Sequence, residues 1–189
     1  MFRELLAEKF APYRELSTEQ LDRLEAHYQL LSIWNERMNL TRISAFPDVV
    51  ELHYCESLFL GASLPEGSLR IVDVGSGPGF PGIPIAILRP ECSVTLVESH
   101  QRKAVFLREA ARSLSNVQIS PVRAESVVER FDWLVSRAVS LPTVVSLKLA
   151  PNRAILMGAG DLGQLGKGWE ARKLPWGENR ILGLFHVEH

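Results

Sequence analysis

Apolar residues recur over the first 64 residues with the spacing of α-helices. A short amphipathic helix is predicted from residue 2 to residue 10, before Pro12. Ser17 and Gln20 form a capping-box pattern, and a longer helix with an apolar stripe is predicted after it. The members of that stripe are Leu21, Leu24, Tyr28, Leu31 and Trp34. Pro47 suits the first turn of a further helix.

From residue 69 onward, short apolar runs alternate with amphipathic segments, as in a doubly wound α/β fold. Strands are predicted at 69–74, 93–98, 117–120, 131–136 and 154–157, and helices at 82–88, 101–114 and 141–149. The apolar residues of the second of these helices, expected to face inward, are Val105, Phe106, Ala110 and Leu114. Extended runs at 172–176 and 180–187 predict a closing antiparallel hairpin.

Leu64-Pro65-Glu66-Gly67 is the expected joint between these two parts. The joint is too short for a free linker, so the helical part should pack on the α/β part. The sequence therefore predicts an N-terminal helical extension at 1–65 and a Rossmann-like domain at 66–189, with a mostly parallel sheet and a C-terminal antiparallel hairpin.

Composition adds a cellular setting to this picture. The chain of 189 residues is 46% hydrophobic and carries a net charge of −1. No apolar run reaches the roughly 18 residues of a membrane span, and Cys55 and Cys92 lack metal-ligand spacing. We therefore expect a cytoplasmic protein that is not bound to membranes. The charge is −4 over residues 1–65 and +3 over residues 66–189, so a polyanion would contact mainly the second part.

The stretch 71–84 reads I-V-D-V-G-S-G-P-G-F-P-G-I-P. A strand, a glycine-rich turn and a helix form the first half of a nucleotide-binding βαβ unit. The glycines of the turn are Gly75, Gly77, Gly79 and Gly82. Phosphate sites at helix N-termini depend on backbone N–H donors, which proline lacks. Because Pro78, Pro81 and Pro84 each remove a donor, the turn is a poor cradle for the pyrophosphate of NAD.

Two carboxylates end the strands on either side of this turn. Asp73 lies where ligands of α/β folds bind. It would repel a pyrophosphate and attract a cation, which favours S-adenosylmethionine (SAM), a sulfonium that also carries an ammonium group. Glu98 follows Gly75 by 23 residues, near the ~20 expected for an acid that binds ribose hydroxyls. The alternative for both residues is a solvated strand-end carboxylate.

Three further stretches carry candidate site residues. The loop Arg123-Ala124-Glu125 follows the third strand, where the adenine of a nucleoside would lie. Arg137 ends the fourth strand and is a candidate for substrate or cofactor contact, with a surface salt bridge as the alternative. The polar residues between Trp34 and Arg42 are typical of a helix end; they are Asn35, Asn39 and Thr41.

With these motifs assembled, the chain resembles the bacterial 16S ribosomal RNA (guanine-N7) methyltransferases, also called the glucose-inhibited division protein B family. The shared motifs are W-N-x-x-x-N-L-T at 34–41, H-x-x-E-S at 53–57, D-V-G-S-G-P-G-F-P-G-I-P at 73–84, V-E-S at 97–99, R-A-E at 123–125 and F-D-x-x-x-S-R-A at 131–138. The resemblance implies a class I SAM-dependent methyltransferase fold, SAM as methyl donor with S-adenosylhomocysteine as product, no metal, and a guanine of small-subunit 16S rRNA as acceptor. It also suggests a monomer.

Carried over residue by residue, the resemblance assigns cofactor contacts to Gly75, Phe80, Ala124-Glu125 and Arg137. Arg123, Arg137 and Asn39 become the candidates for positioning the substrate, and His53 would border the cleft. No catalytic dyad is expected, because N7 of guanine has an unshared electron pair and carries no proton.

The chain departs from the family pattern at Met157, where a lysine is usual, and at Glu56, where an aspartate is usual; its tail is also short. These departures keep open a SAM- or RNA-binding protein with weak or altered activity. An NAD(P)-dependent oxidoreductase is the third reading, disfavoured by Asp73 and the three prolines.

Overall fold

Seven strands build one sheet in the computed structural model, which describes residues 1–43 and 45–187. In chain order they are β1 (Arg70–Val74), β2 (Ser93–Val97), β3 (Val117–Ser120), β4 (Trp133–Arg137), β5 (Asn152–Gly158), β6 (Trp169–Lys173) and β7 (Arg180–Phe185). Their spatial order is β3-β2-β1-β4-β5-β7-β6. The first five strands are parallel, and β7 pairs antiparallel with both β5 and β6. This confirms the predicted α/β class and the closing hairpin.

The strand order places the candidate chemistry at one edge of the sheet. The order reverses at β1, whose neighbours are β2 and β4. Ligands of open α/β sheets bind at such a switch point, outside the carboxyl ends of the strands. The glycine turn follows β1 at this point, Glu98 follows β2, and Arg137 ends β4.

The helices are α1 (Phe2–Phe10), α2 (Thr18–Met38), α3 (Phe46–Asp48), α4 (Glu56–Ser63), α5 (Gly82–Leu88), α6 (Gln101–Ala110) and α7 (Leu141–Ser146). A π-helical segment, Val49–Cys55, joins α3 to α4, and 3₁₀ turns occupy Ala124–Ser126 and Ala159–Gln164. No helix in the described ranges is long and apolar enough to cross a membrane.

Two apolar clusters fill the space between these layers. One combines α1, α2, α4, α5 and α6 with one face of the sheet, and the other combines α7 with the opposite face. Successive strand residues point to opposite faces. Ile71 and Asp73 therefore lie on the face that the N-terminal helices cover, whereas Val72 and Val74 belong to the other cluster.

Local sequence signals set several of the helix ends. The hydroxyl of Ser17 accepts the N–H of Gln20, and the Gln20 side chain accepts the N–H of Ser17, so the predicted capping box is confirmed. Asn39 ends α2 in the left-handed conformation, with φ of 48°. This conformation is tolerated by asparagine better than by most residues, and it confirms the predicted helix end.

Three details of the predicted helices were wrong, the first being that the helix predicted at 141–149 ends at Ser146. The helix from residue 101 ends at Ala110, before Leu114, and Val105 faces solvent with 48% of its surface exposed. Ala104 and Leu107 are buried instead. The inward stripe starts one residue earlier than the prediction placed it, because the way α6 docks on the sheet decides which residues of a mixed segment are buried.

A buried ion pair fastens the C-terminal hairpin to the N-terminal helices. Glu56 at the start of α4 is fully buried, and its two carboxylate oxygens accept from Nε and Nη2 of Arg180 at 2.8 and 2.7 Å. A bidentate pair of this kind is geometrically specific. Residues 124 positions apart in the chain are thereby joined.

We predict that Arg180→Met lowers the free energy of unfolding by about 3–5 kcal/mol, because Glu56 would keep a buried carboxylate without its partner. Denaturant unfolding measures the change. The matched control is Arg172→Met, which removes an exposed pair with Glu170 in the same hairpin and should leave stability nearly unchanged. Equal, small effects of both substitutions would show that the buried pair does not hold the hairpin.

Candidate functional site

The backbone N–H groups of the glycine turn are all used within the protein. Those of Gly75 and Ser76 donate to the Val97 carbonyl. The N–H of Gly77 donates to Oε2 of Glu98 at 2.9 Å, and that of Gly82 donates to Oδ2 of Asp73 at 2.9 Å. The remaining donors bond to carbonyls inside the turn: Gly79 and Phe80 to Ser76, and Ile83 to Gly79. The turn therefore presents no free N–H to a phosphate.

Asp73 binds the end of this turn from its buried side. Its side chain is fully buried, Oδ2 accepts the Gly82 N–H, and Oδ1 has no hydrogen-bond partner among the described residues. Burial raises the pKa of Asp73 to about 7, against the opposing effects of the Gly82 N–H and the Arg137 charge. A Cβ on Gly82 would lie 2.2 Å from the Leu96 side chain, so only glycine fits here.

Glu98 ties the second strand to the same turn. It is 8% exposed, and besides the Gly77 contact its Oε1 accepts the N–H of His100 at 2.8 Å. Both carboxylate oxygens thus hold backbone donors, and each oxygen keeps a further lone pair for another donor. The structure places Glu98 directly beside Gly77, as the switch-point topology requires.

The Phe80 ring connects the glycine turn to the N-terminal helical segment. The ring is buried, stacks on the His53 imidazole at 4.5 Å between centroids, and has the Arg137 guanidinium 5.6 Å from its centroid. Arg137 donates to the Leu52 carbonyl at 2.6 Å and to Nδ1 of His53. Two predicted site residues, Phe80 and Arg137, are therefore brought together.

The hydrogen bonds of His53 determine its tautomer. A guanidinium has only donors, so Nδ1 of His53 accepts from Arg137 and the ring proton lies on Nε2, which faces Oγ1 of Thr41 at 2.9 Å. Burial, followed by the charge of Arg137, lowers the pKa of His53 to about 2. Thr41 in turn bonds through its N–H to Oδ1 of Asn35 at 2.8 Å. A chain of hydrogen bonds therefore runs from Asn35 through Thr41 and His53 to Arg137.

His27 holds the glycine turn from helix α2. The Pro78 carbonyl can only accept, so the ring proton lies on Nε2 and donates to it at 3.0 Å, whereas Nδ1 accepts from the Tyr54 hydroxyl at 3.0 Å. Burial lowers the pKa of His27 to about 4. His27 was not among the residues predicted from the sequence, although it falls between Leu24 and Leu31 on the buried side of α2.

A cavity of about 410 Å³ adjoins the turn at the ends of β4 and β5. Its lining includes Arg137, Val139, Asp161 and Arg180. A Cβ on Gly75 would lie 2.6 Å from Val139, so this wall of the cavity touches the glycine turn. Ala138, which lies between Arg137 and Val139 in the chain, has a φ of 61°. Such strain in a non-glycine residue is common at functional sites.

The other predicted site residues lie outside this network. Arg123 and Glu125 are exposed and Ala124 is half-buried, all in the loop after β3. Asn39 is exposed at the end of α2. Within the described residues, no hydrogen bond links any of the four to the glycine turn. Their roles remain predictions, based on their place along the chain.

The raised pKa of Asp73 has a consequence for stability. A carboxyl that titrates near pH 7 when folded, but near 3.8 when unfolded, favours the folded state below that window and loses this contribution as pH rises through it. We predict that Asp73→Asn, which keeps an acceptor for Gly82, becomes more stable relative to the unsubstituted protein between pH 4 and 7, by up to about 4 kcal/mol at about 1.4 kcal/mol per pH unit.

Thermal or denaturant unfolding across this pH range measures the difference. The control is Asp48→Asn, because Asp48 is exposed on α3. This substitution removes one negative charge from the surface and should not reproduce the gain in stability of Asp73→Asn. A flat profile for Asp73→Asn would contradict the burial argument.

Comparison with known proteins identifies the family of this chain. The family model described as "GidB: rRNA small subunit methyltransferase G" matches residues 20–156. A relative from Stenotrophomonas maltophilia, named ribosomal RNA small subunit methyltransferase G, is 39% identical over 77% of this chain and 74% of its own length. A relative of the same name from Acetivibrio thermocellus is 35% identical over 69% of this chain, and the match spans 57% of that protein.

A solved SAM-dependent methyltransferase from Aquifex aeolicus shares the fold, with a TM-score of 0.56 at 16% identity over 73% of this chain and 92% of that one. The suspected family is therefore confirmed. The chain belongs to the GidB family, the family of rRNA small subunit methyltransferase G.

Proposed function

We propose that this chain transfers a methyl group from SAM to N7 of a guanine in 16S rRNA of the small ribosomal subunit. The observation that carries the proposal is the glycine turn of a GidB-family chain, which has no free N–H for a phosphate and lies against Val139, a residue of the neighbouring arginine-lined cavity. Relatives named for small-subunit rRNA methylation support the acceptor class.

The carboxylates at the turn fit a cationic cofactor. Oδ1 of Asp73 is buried without a hydrogen-bond partner among residues 1–43 and 45–187, and Glu98 lies next to Gly77 with lone pairs to spare. A positive charge at this edge of the sheet would lower the cost of the buried Asp73 anion. We assign the cofactor surface to the turn and the strand ends around it, namely Asp73, Gly75, Gly77, Gly79, Phe80, Glu98, Ala124, Glu125 and Arg137.

The chemistry asks for positioning rather than proton transfer. When bound, SAM supplies an electrophilic methyl group on a sulfonium. The chain must place N7 so that its electron pair attacks the methyl group in line, and it must exclude water. Positioning of this kind is worth several orders of magnitude in rate. Arg137 is fixed at this place by Leu52 and His53. Arg is suited to the O6 edge of guanine or to a phosphate.

We also propose how the chain is divided into domains. Residues 1–65 form the helical extension and residues 66–189 the SAM-binding domain, acting as a cytoplasmic, metal-free monomer. The helical extension is supported by the apolar cluster that α1 and α2 share with one face of the sheet. The reducing compartment is supported by Cys55 and Cys92, which are both buried free thiols.

One alternative keeps support from a specific observation. Met157 lies buried at the end of β5 and lines the cavity with an apolar side chain. A SAM- or RNA-binding protein with weak activity would fit this lining. An NAD(P)-dependent oxidoreductase is disfavoured by the same turn that supports SAM.

The test is methyl transfer to 30S subunits and to naked 16S rRNA that lack the modification, with labelled SAM and mapping of the product. We expect one guanine to gain a methyl group at N7. Transfer to another position or another RNA would contradict the assigned acceptor, and tight SAM binding without any transfer would favour the weakly active alternative.

The same assay tests Arg137. Arg137→Ala should lower the transfer rate at least about tenfold, because a charge-assisted contact is lost. The thermal unfolding profile, recorded in parallel, checks that the fold is intact. Normal turnover in a folded variant would refute this assignment.

A further inference from the structure

The cavity beside the glycine turn has a lining with two kinds of charge. Arg137 and Arg180 contribute guanidinium groups, and Asp161 is the one acid among the described residues that line it. Its volume of about 410 Å³ lies within the roughly 300–1,000 Å³ of small-molecule sites. A cavity that served only to bind phosphate would gain nothing from a carboxylate.

Asp161 is held in place but is not neutralised. It lies in the 3₁₀ turn after β5, is half-buried, and accepts from Nε2 of Gln164 through Oδ1 at 2.9 Å. Within the described residues, Oδ2 has no hydrogen-bond partner and no ion pair involves Asp161. Arg180, the nearest candidate along the β5–β7 pairing, is committed to Glu56 instead. This residue of the cavity lining therefore keeps one acceptor oxygen without a partner in the described part of the chain.

The strand order sets the direction in which a base would lie. β4 separates β1 from β5, and neighbouring strands are about 4.8 Å apart. The glycine turn follows β1, Val139 follows β4 against Gly75, and Asp161 follows β5. A planar base in the cavity would thus have one edge towards the glycine turn and the opposite edge towards Asp161.

In guanine these two edges have different chemistry. N7 and O6 accept on one side, whereas N1–H and the 2-amino group donate on the other. A carboxylate is acceptor-only and matches that donor pair, and enzymes that act on an extruded base read its Watson–Crick edge by hydrogen bonds. Adenine offers no donor at N1 and no 2-amino group, so it would leave the Asp161 carboxylate unpaired.

We propose that Asp161 is the specificity-determining residue of the acceptor cavity, where its carboxylate accepts from N1–H and the 2-amino group of guanine and leaves N7 facing the glycine turn. This rests on the proposed function for the identity of the acceptor. Arg137 and Arg180 line the same cavity. Beyond the N–H groups bonded to Leu52, His53 and Glu56, each guanidinium keeps further donors that can contact O6 or the phosphate backbone.

The first experiment compares Asp161→Asn with the unsubstituted protein in methyl transfer to 30S subunits that lack the modification. We expect kcat/KM to fall at least about tenfold, in line with a bidentate base contact, while the Kd for SAM and the Tm stay unchanged. Glu66→Gln, which removes a charge before β1 at the opposite edge of the sheet, is the control and should keep full activity. A wild-type kcat/KM in Asp161→Asn would overturn the proposal.

A substrate change separates base reading from a structural role. In 30S subunits rebuilt with inosine at the methylated position, the 2-amino group is missing but N7 is retained. We expect kcat/KM of the unsubstituted protein to be about tenfold lower with inosine than with guanosine. For Asp161→Asn, we expect equal kcat/KM values with the two. If Asp161→Asn still prefers guanine by the same factor, Asp161 does not read the base.

A third measurement distinguishes failure of this inference from failure of the proposed function. Titration with guanosine 5′-monophosphate and adenosine 5′-monophosphate, followed by NMR without SAM, needs no methyl transfer. Preference for the guanine nucleotide that disappears in Asp161→Asn supports the site even if no ribosomal RNA is methylated. Equal binding of both nucleotides by the unsubstituted protein overturns it.

Discussion

The closure of the glycine turn around the buried Asp73 carboxylate is the constraint on which the site depends. An enclosed acid is costly unless its oxygens are hydrogen-bonded. Here one oxygen accepts the first N–H of α5, while the other has no partner in the part of the chain that the structure describes. The same contact requires glycine at position 82, because a Cβ would run into Leu96 and Asp73. With the other donors committed to Val97, Glu98 and Ser76, the turn becomes a surface without free N–H groups.

The N-terminal helices take part in this arrangement directly. His27 from α2 bonds to the Pro78 carbonyl at the tip of the turn. His53 stacks on Phe80 and accepts from Arg137, so an arginine at the end of β4 is oriented by the segment before α4. Both imidazoles are neutral in this setting, because burial lowers the pKa of each ring. The helical extension thus packs over one face of the sheet and also forms one wall of the candidate site.

Local signals in the sequence predicted much of this fold. The helix from Gly82 to Leu88, the capping box at Ser17 and the strand at 117–120 agree with the structure, because each depends on neighbours a few residues away. Contacts between distant residues could not be predicted in the same way. The Glu56–Arg180 pair joins positions 124 apart, and the His27–Pro78 bond depends on how α2 docks. Val105 faces solvent for the same reason, since docking decides which side of α6 is buried.

We expect this turn to hold a cationic nucleoside and not a dinucleotide phosphate. Titration calorimetry of the unsubstituted protein with SAM, NAD and NADP tests it most directly, because all three ligands carry adenosine and differ in charge where the turn meets them. We expect saturable binding of SAM and no measurable heat with NAD or NADP. Binding of NAD or NADP in the absence of SAM binding would contradict it.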